Sequence, residues 1–185
     1  MLPAVHMIAI MYEPLSPIFA DARTIALPPG AALFRAGAPV REMFQIRSGR
    51  VVLKRHTASG DRLILHDATA GAILAEASAY SNAYHCDAVA VAVAEVAAIP
   101  RTRFRAALAD DPALAEAWAA ALARGMQAAR MKAEIRALPR VADRLDAWLD
   151  AGNAMPEKGR IQDLAAELSV SREALYRELS RRRAA

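Results

Sequence analysis

The chain has 185 residues, of which 55% are hydrophobic, a formal net charge of +4 and one cysteine, Cys86. That is enough apolar material for one large domain or two small ones without staples, and a lone thiol excludes an intrachain disulfide framework and a four-thiolate cluster. From Lys158 to Ala185 seven Lys and Arg face four Asp and Glu, whereas the first 157 residues hold 17 against 16. The excess charge on the last segment suits a polyanionic partner, a solvated basic tail being the plain alternative.

The N-terminal stretch MLPAVHMIAIMYEP is apolar, but no Lys or Arg precedes it and Pro14 and Pro17 follow closely. It is too short to span a bilayer and lacks the basic start of a signal peptide. It reads as an extended arm, or as untranslated if Met7 or Met11 is the true start. Together with the single cysteine this points to the reducing cytoplasm and no membrane.

Short strands follow. Thr24–Leu27 ends at Pro28-Pro29-Gly30 and Ala32–Phe34 ends before Gly37-Ala38-Pro39. Met43–Ile46 and Val51–Arg55 flank Ser48-Gly49, which predicts a hairpin. Ser59-Gly60-Asp61 predicts a second turn before Leu63–Leu65, and Val89 to Val96, closed by Ile99, alternates Val with Ala as one more strand. Between them, Gly71 to Asp87 reads as a one- or two-turn helix running into a polar loop. Turn signals at this spacing predict a small sandwich or barrel.

From Arg101 the pattern is helical. Asp110-Asp111-Pro112 is a helix start, and 27 residues to Leu138 would reach about 40 Å. Leu114, Trp118, Leu122, Gly125, Met126 and Ala129 share one side, so a second copy is expected to pack there; the alternative is a helix lying on its own sheet. Leu138-Pro139 breaks it. Val141, Leu145, Trp148 and Leu149 then give an amphipathic helix that stops near Gly152-Asn153.

Ile161–Ser180 carries Ile161, Leu164, Ala165, Leu168, Val170, Leu175 and Leu179 at the spacing of two short helices around a turn. Ser169 falls where Gly would suit the turn, and Ser171 can cap the second helix. That helix would present Arg172, Glu173, Tyr176 and Arg177 outward. Arg can take guanine O6 and N7, and Glu can accept from cytosine N4, so the pattern predicts a reader of double-stranded DNA. Ser171 would hold a phosphate, and Arg181, Arg182 and Arg183 would add backbone charge. An ordinary helical hairpin with a solvated face is the alternative.

In this order, Phe44-Gln45-Ile46-Arg47-Ser48-Gly49-Arg50-Val51, Gly60-Asp61-Arg62, the Gly71…Glu76 loop and Ser171-Arg172-Glu173 with Arg177 resemble the Crp/Fnr family of bacterial transcription regulators. The resemblance implies an α+β chain: a cyclic-nucleotide-binding-like β-barrel over residues 1–108, a dimerisation helix over 109–138, and a helix-turn-helix DNA-binding domain over 139–185. With the chain ending at Ala185, most of the wing is expected to be lacking, the arginines taking over its phosphate contacts. It further implies a homodimer, RNA polymerase as a partner, and an effector in the barrel.

The departures concern that effector. Ala75-Glu76 keeps the family's ribose-holding Glu, but the Arg-Ser pair that holds a cyclic phosphate is replaced by Cys86-Asp87. The cyclic phosphate would lose an Arg and face a carboxylate, so cyclic AMP is not expected. The effector-pocket candidates are Glu76, His85, Cys86 and Asp87. His85 and Cys86 suggest a soft (copper-like) metal ion, a thiol switch or haem for gas sensing; a buried small thiol and a satisfied histidine are the plain alternative. No Ser-His-Asp set, Gly-rich phosphate loop or HExxH motif is present, so the chain is not expected to be an enzyme.

Overall fold

The computed structural model describes residues 12–56, 62–74, 76–156, 159 and 161–184. The first eleven residues, with Met7 and Met11, the Ser59-Gly60-Asp61 turn and Ala75 lie outside the described residues. The chain divides into two compact units, one ending at Leu122 and the other starting at Ala123.

The first unit holds strands β1 (Arg23–Leu27), β2 (Ala32–Phe34), β3 (Glu42–Ser48), β4 (Arg50–His56), β5 (Arg62–Thr69), β6 (Ile73–Leu74), β7 (Asp87–Ala90) and β8 (Ala94–Pro100). They form two four-stranded sheets in the orders β1-β8-β3-β6 and β2-β7-β4-β5, with every pairing antiparallel. The expected barrel is thus a pair of sheets around one core.

Two strand assignments change. The segments β3 and β4 are consecutive but do not pair: β3 lies between β8 and β6, and β4 between β5 and β7. Ser48-Gly49 is therefore a crossing between sheets, not a hairpin turn. The Val89–Val96 run is likewise two strands, because β7 pairs with β4 and β8 with β1 and β3. The alternation of Val and Ala continues across the step from one sheet to the other, so its period conceals the break. In the Gly71–Asp87 segment, Ile73-Leu74 joins β3 as a short strand and only Glu76–Ser78 makes a 3₁₀ turn.

In β3, Met43, Phe44, Gln45 and Ile46 are all buried, because this sheet is covered on both faces. One face meets the inner core. The other is covered by the 3₁₀ segment Glu13–Phe19 and by helix α1 (Arg101–Asp110). Gln45 donates to Ser16 Oγ at 2.8 Å and Arg47 to the Phe19 carbonyl at 2.7 Å, fastening that segment.

Helix α2 (Pro112–Ala137) is capped by Asp111, whose Oδ1 accepts from the Ala113 and Leu114 amides at 2.8 and 3.3 Å. Its first turns face the first unit's own core. Trp118 is buried with its ring 5.0 Å from that of Phe104, and Leu114 packs on the same cluster. Those two residues of the expected interface stripe are therefore used within their own chain. Leu122 and Met126 are 37% and 51% exposed, Ala129 is exposed, and Gly125 is half-buried.

The second unit packs α3 (Val141–Asp150), α4 (Ile161–Glu167) and α5 (Arg172–Ala184) around Leu145, Trp148, Leu164, Ala165, Leu168 and Leu175, with Ile135 from the end of α2. Gly152, at φ 85, follows the end of α3 as expected. No helix among the described residues is long and apolar enough to cross a membrane.

Gly49 sits at φ 83, and a Cβ there would lie 2.1 Å from the Val93 carbonyl oxygen and 2.5 Å from Ala94 Cα. Overpacking against backbone adds to the cost of the left-handed conformation, so Gly49→Ala should lower stability by about 3 kcal/mol. Gly30, at φ 85 with open space around it, should lose only about 1 kcal/mol on the same change. Urea unfolding of the two variants checks the difference.

Candidate functional site

Helix α4 ends at Glu167, and the chain turns through Leu168, Ser169 and Val170 into α5. Ser169 is the one non-glycine described residue with positive φ, at 53°. Its side chain is accepted there because the turn needs a left-handed residue and the Val170 amide closes back on the Ala165 carbonyl at 2.9 Å. Such a turn leaves carbonyls without helical partners, and arginines supply them. Arg136 Nε donates to Glu167 O at 2.9 Å, and Arg144 Nη1 to Leu168 O and Ser169 O at 3.1 and 2.9 Å. Arg144 Nε also donates to Leu138 O at 2.6 Å. One guanidinium thus ties the Leu138-Pro139 break to the α4–α5 turn. Spacing singles out neither arginine, because their partners are main-chain carbonyls and leave no mark in side-chain pattern.

Ser171 caps α5, its Oγ accepting from the Ala174 amide at 3.1 Å. The Glu173 carboxylate sits at the same helix start and is held below the usual carboxylate range, first by its own backbone N–H and then by the Ser171 hydroxyl. Leu175 and Glu178 are buried, whereas Ser171, Arg172, Glu173, Tyr176 and Arg177 are exposed. Arg172 lies over the Tyr176 ring, 5.5 Å from its centre, so the outward face is partly ordered by its own cation–π contact.

The three terminal arginines differ from one another. Arg182 binds Asp146 at 2.6 Å, Glu178 at 2.7 Å and the Ala142 carbonyl at 3.2 Å, fastening α5 to α3. Its guanidinium is thus engaged with α3 and with its own helix. Arg181 also pairs with Glu178, at 2.8 Å, but is 70% exposed. Arg183 donates to Leu179 O at 3.3 Å from an exposed position. All three belong to the helix rather than to a tail.

The effector candidates come together only in part. Cys86 is buried, and burial first, then the Glu76 carboxyl, pushes its thiol up to about 11. Burial also raises the Glu76 carboxyl above the usual carboxylate range. His85 Nδ1 lies 3.3 Å from Ser78 Oγ, and burial followed by the Arg55 charge lowers its pKa. Asp87 is turned away: its Oδ1 accepts from the Ala36 amide at 2.9 Å and its Oδ2 from Arg35 at 3.3 Å. The expected carboxylate facing a ligand phosphate is therefore a clasp on the end of β2. Arg55, which spacing did not single out, donates to the His85 carbonyl at 3.1 and 2.7 Å. Among the described residues no group of three or more His, Cys, Asp or Glu is placed to hold a metal ion. Burial and a raised pKa keep the Cys86 thiol in its less nucleophilic, protonated form.

Arg144→Ala would leave the Leu138, Leu168 and Ser169 carbonyls without this donor, and should cost about 2–3 kcal/mol at charge-assisted bond strengths. Trp148 fluorescence during urea unfolding measures it. The Cys86 thiol stays protonated in the folded chain above the pH at which an unfolded thiol ionises. Its contribution is thus complete below pH about 9 and lost as pH rises toward 11. Native protein at pH 7.5 should resist iodoacetamide, and urea-unfolded protein should react fully. Fast labelling of native protein would contradict the buried geometry.

Residues 24–111 match the family model of the cyclic nucleotide-binding domain. A comparison with curated proteins gives no match. Among solved structures, the c-di-GMP responsive global regulator CLP of Xanthomonas campestris is 22% identical with a TM-score of 0.70, covering 92% of this chain and 90% of that one. The catabolite activator protein of Thermus thermophilus is 26% identical with a TM-score of 0.57, covering 91% and 81%. The sensor domain of the transcriptional regulator DNR from Pseudomonas aeruginosa is 25% identical with a TM-score of 0.54, covering 74% and 95%. Residues 24–111 thus resemble a cyclic nucleotide-binding domain, in a chain that shares its fold with Crp/Fnr-type transcription regulators.

Proposed function

We propose that the chain is a DNA-binding transcription regulator in which α4 and α5 form a helix-turn-helix and α5 enters the major groove. The observation that carries this reading is the outward face of α5: Arg172, Glu173, Tyr176 and Arg177 are all exposed beyond a capped helix start, while Leu175 is buried beneath them. Arg and Glu at successive positions offer a guanine-reading fork beside a cytosine acceptor. Ser171 and the exposed Arg181 and Arg183 stand at the ends of α5, where phosphates of a groove-bound helix pass.

The same reading assigns residues 139–185 to DNA binding, 1–108 to sensing, and the exposed part of α2, with Leu122, Gly125, Met126 and Ala129, to pairing with a second copy. The dimer would present two recognition helices to a two-fold half-site pair, and RNA polymerase would be its partner at a promoter. The effector is not cyclic AMP. Cys86, which is buried, stands where a phosphate-binding Arg is needed. The metal, thiol and haem alternatives gain no support from a neutral Cys86 and an isolated His85.

The test uses the duplex that the wild-type chain retains most strongly from a random pool. Arg172→Ala, Glu173→Ala and Arg177→Ala should each lose about 1–3 kcal/mol on that duplex, with little loss on unrelated DNA. Arg183→Ala should weaken both equally and reduce the salt slope by about 1. Unchanged affinity in all three face variants would sink the proposal.

A further inference from the structure

A cleft of about 530 Å³ opens in the first unit between Tyr80, α1 and the start of α2, with Arg101, Thr102, Arg105, Leu108 and Trp118 among its lining residues. It lies apart from the Glu76, His85 and Cys86 side chains, none of which lines it. We infer that this cleft binds a phosphomonoester carrying an apolar or aromatic body.

The head-group chemistry comes from α1. Arg101 and Arg105 are one helical turn apart and so share a face. No carboxylate lines the cleft, and among the described residues Arg105 has no acidic partner. Its guanidinium is instead held over the Tyr80 ring at 4.9 Å, while Arg101 donates to the Ser81 carbonyl. Each guanidinium keeps further N–H groups in a planar fork. Two like charges without a counter-ion match a phosphate dianion in charge and donor number better than a single carboxylate. Thr102 adds a hydroxyl beside them.

The body of the ligand is set by the rest of the wall. Leu108 and Trp118 are buried, and alanines of both helices complete an apolar surface. The indole N–H of Trp118 is buried and has no acceptor, which makes its resonance a reporter at the cleft. A bare inorganic phosphate would use the arginines and leave this surface wet; an apolar alcohol alone would leave both charges uncompensated.

The inference does not rest on DNA binding, and its test needs no DNA. The full chain is titrated with phenyl phosphate at pH 7.5 while the Trp118 indole signal is followed by NMR. Saturable binding is expected, at least tenfold weaker for inorganic phosphate, and lost for phenol. Arg105→Ala, an exposed change that should leave the unfolding midpoint in place, and Arg101→Ala should each weaken phenyl phosphate at least tenfold. Arg105→Lys should restore only part, since it keeps the charge but not the fork. The absence of a saturable shift, or a shift indifferent to both alanine substitutions, overturns the site. Equal affinity for inorganic and phenyl phosphate overturns the apolar subsite.

Discussion

The second unit depends on how a sharp turn disposes of its carbonyls. Between α4 and α5 the chain reverses in a few residues, with Ser169 in the left-handed region. Helix ends expose acceptors that must be satisfied, and three cations converge on this one: Arg136 and Arg144 on carbonyls, and Lys132 on the Glu167 carboxylate at 3.3 Å. A second set at the far end of α5, Arg182 with Asp146 and Glu178, fixes that helix to α3. The outward side chains of α5 are therefore presented from a helix held at both ends. The positive charge of this unit is divided between that scaffolding and exposed arginines of α5, Arg172, Arg177, Arg181 and Arg183.

The first unit is governed by a different constraint, the passage of one chain between two sheets. Gly49 allows β3 to hand over to β4 where the Val93 carbonyl passes too close for any Cβ. The crossing places β4 beside β7, which puts Arg55 against the His85 carbonyl. The loop that leads into β7 is thus braced by an arginine. The Cys86 side chain of this loop is buried.

Local pattern made much of this legible. Turn residues bounded β1 to β4 to within one or two residues, Asp111 and Ser171 announced the starts of α2 and α5, and the need for a left-handed residue at Ser169 could be read from the apolar spacing, whereas β5 runs four residues past the expected Leu65. The errors share a cause. Ser48-Gly49 looks like a hairpin turn because sequence shows a turn and not the partner of the strand that follows it. Val89–Val96 keeps one period through a change of sheet. Trp118 looks free on an amphipathic helix because its partner, Phe104, lies on another element. The Arg181-Arg182-Arg183 run looks uniform, yet one of the three meets Asp146, which is 36 residues away. Asp87 looks like a pocket residue, yet it clasps the Ala36 amide. Side-chain identity can be read in sequence; the main-chain groups that side chains bind cannot.

In the proposed function, α5 and its turn are the surface that meets DNA. Amide hydrogen exchange of the full chain, with and without its best-retained duplex, tests it most directly. The account predicts slowed exchange across residues 168–183, with the two sheets of the first unit unchanged on their exposed edges. A duplex that binds tightly yet leaves 168–183 exchanging as in the free chain, or protects the sheets instead, would contradict it.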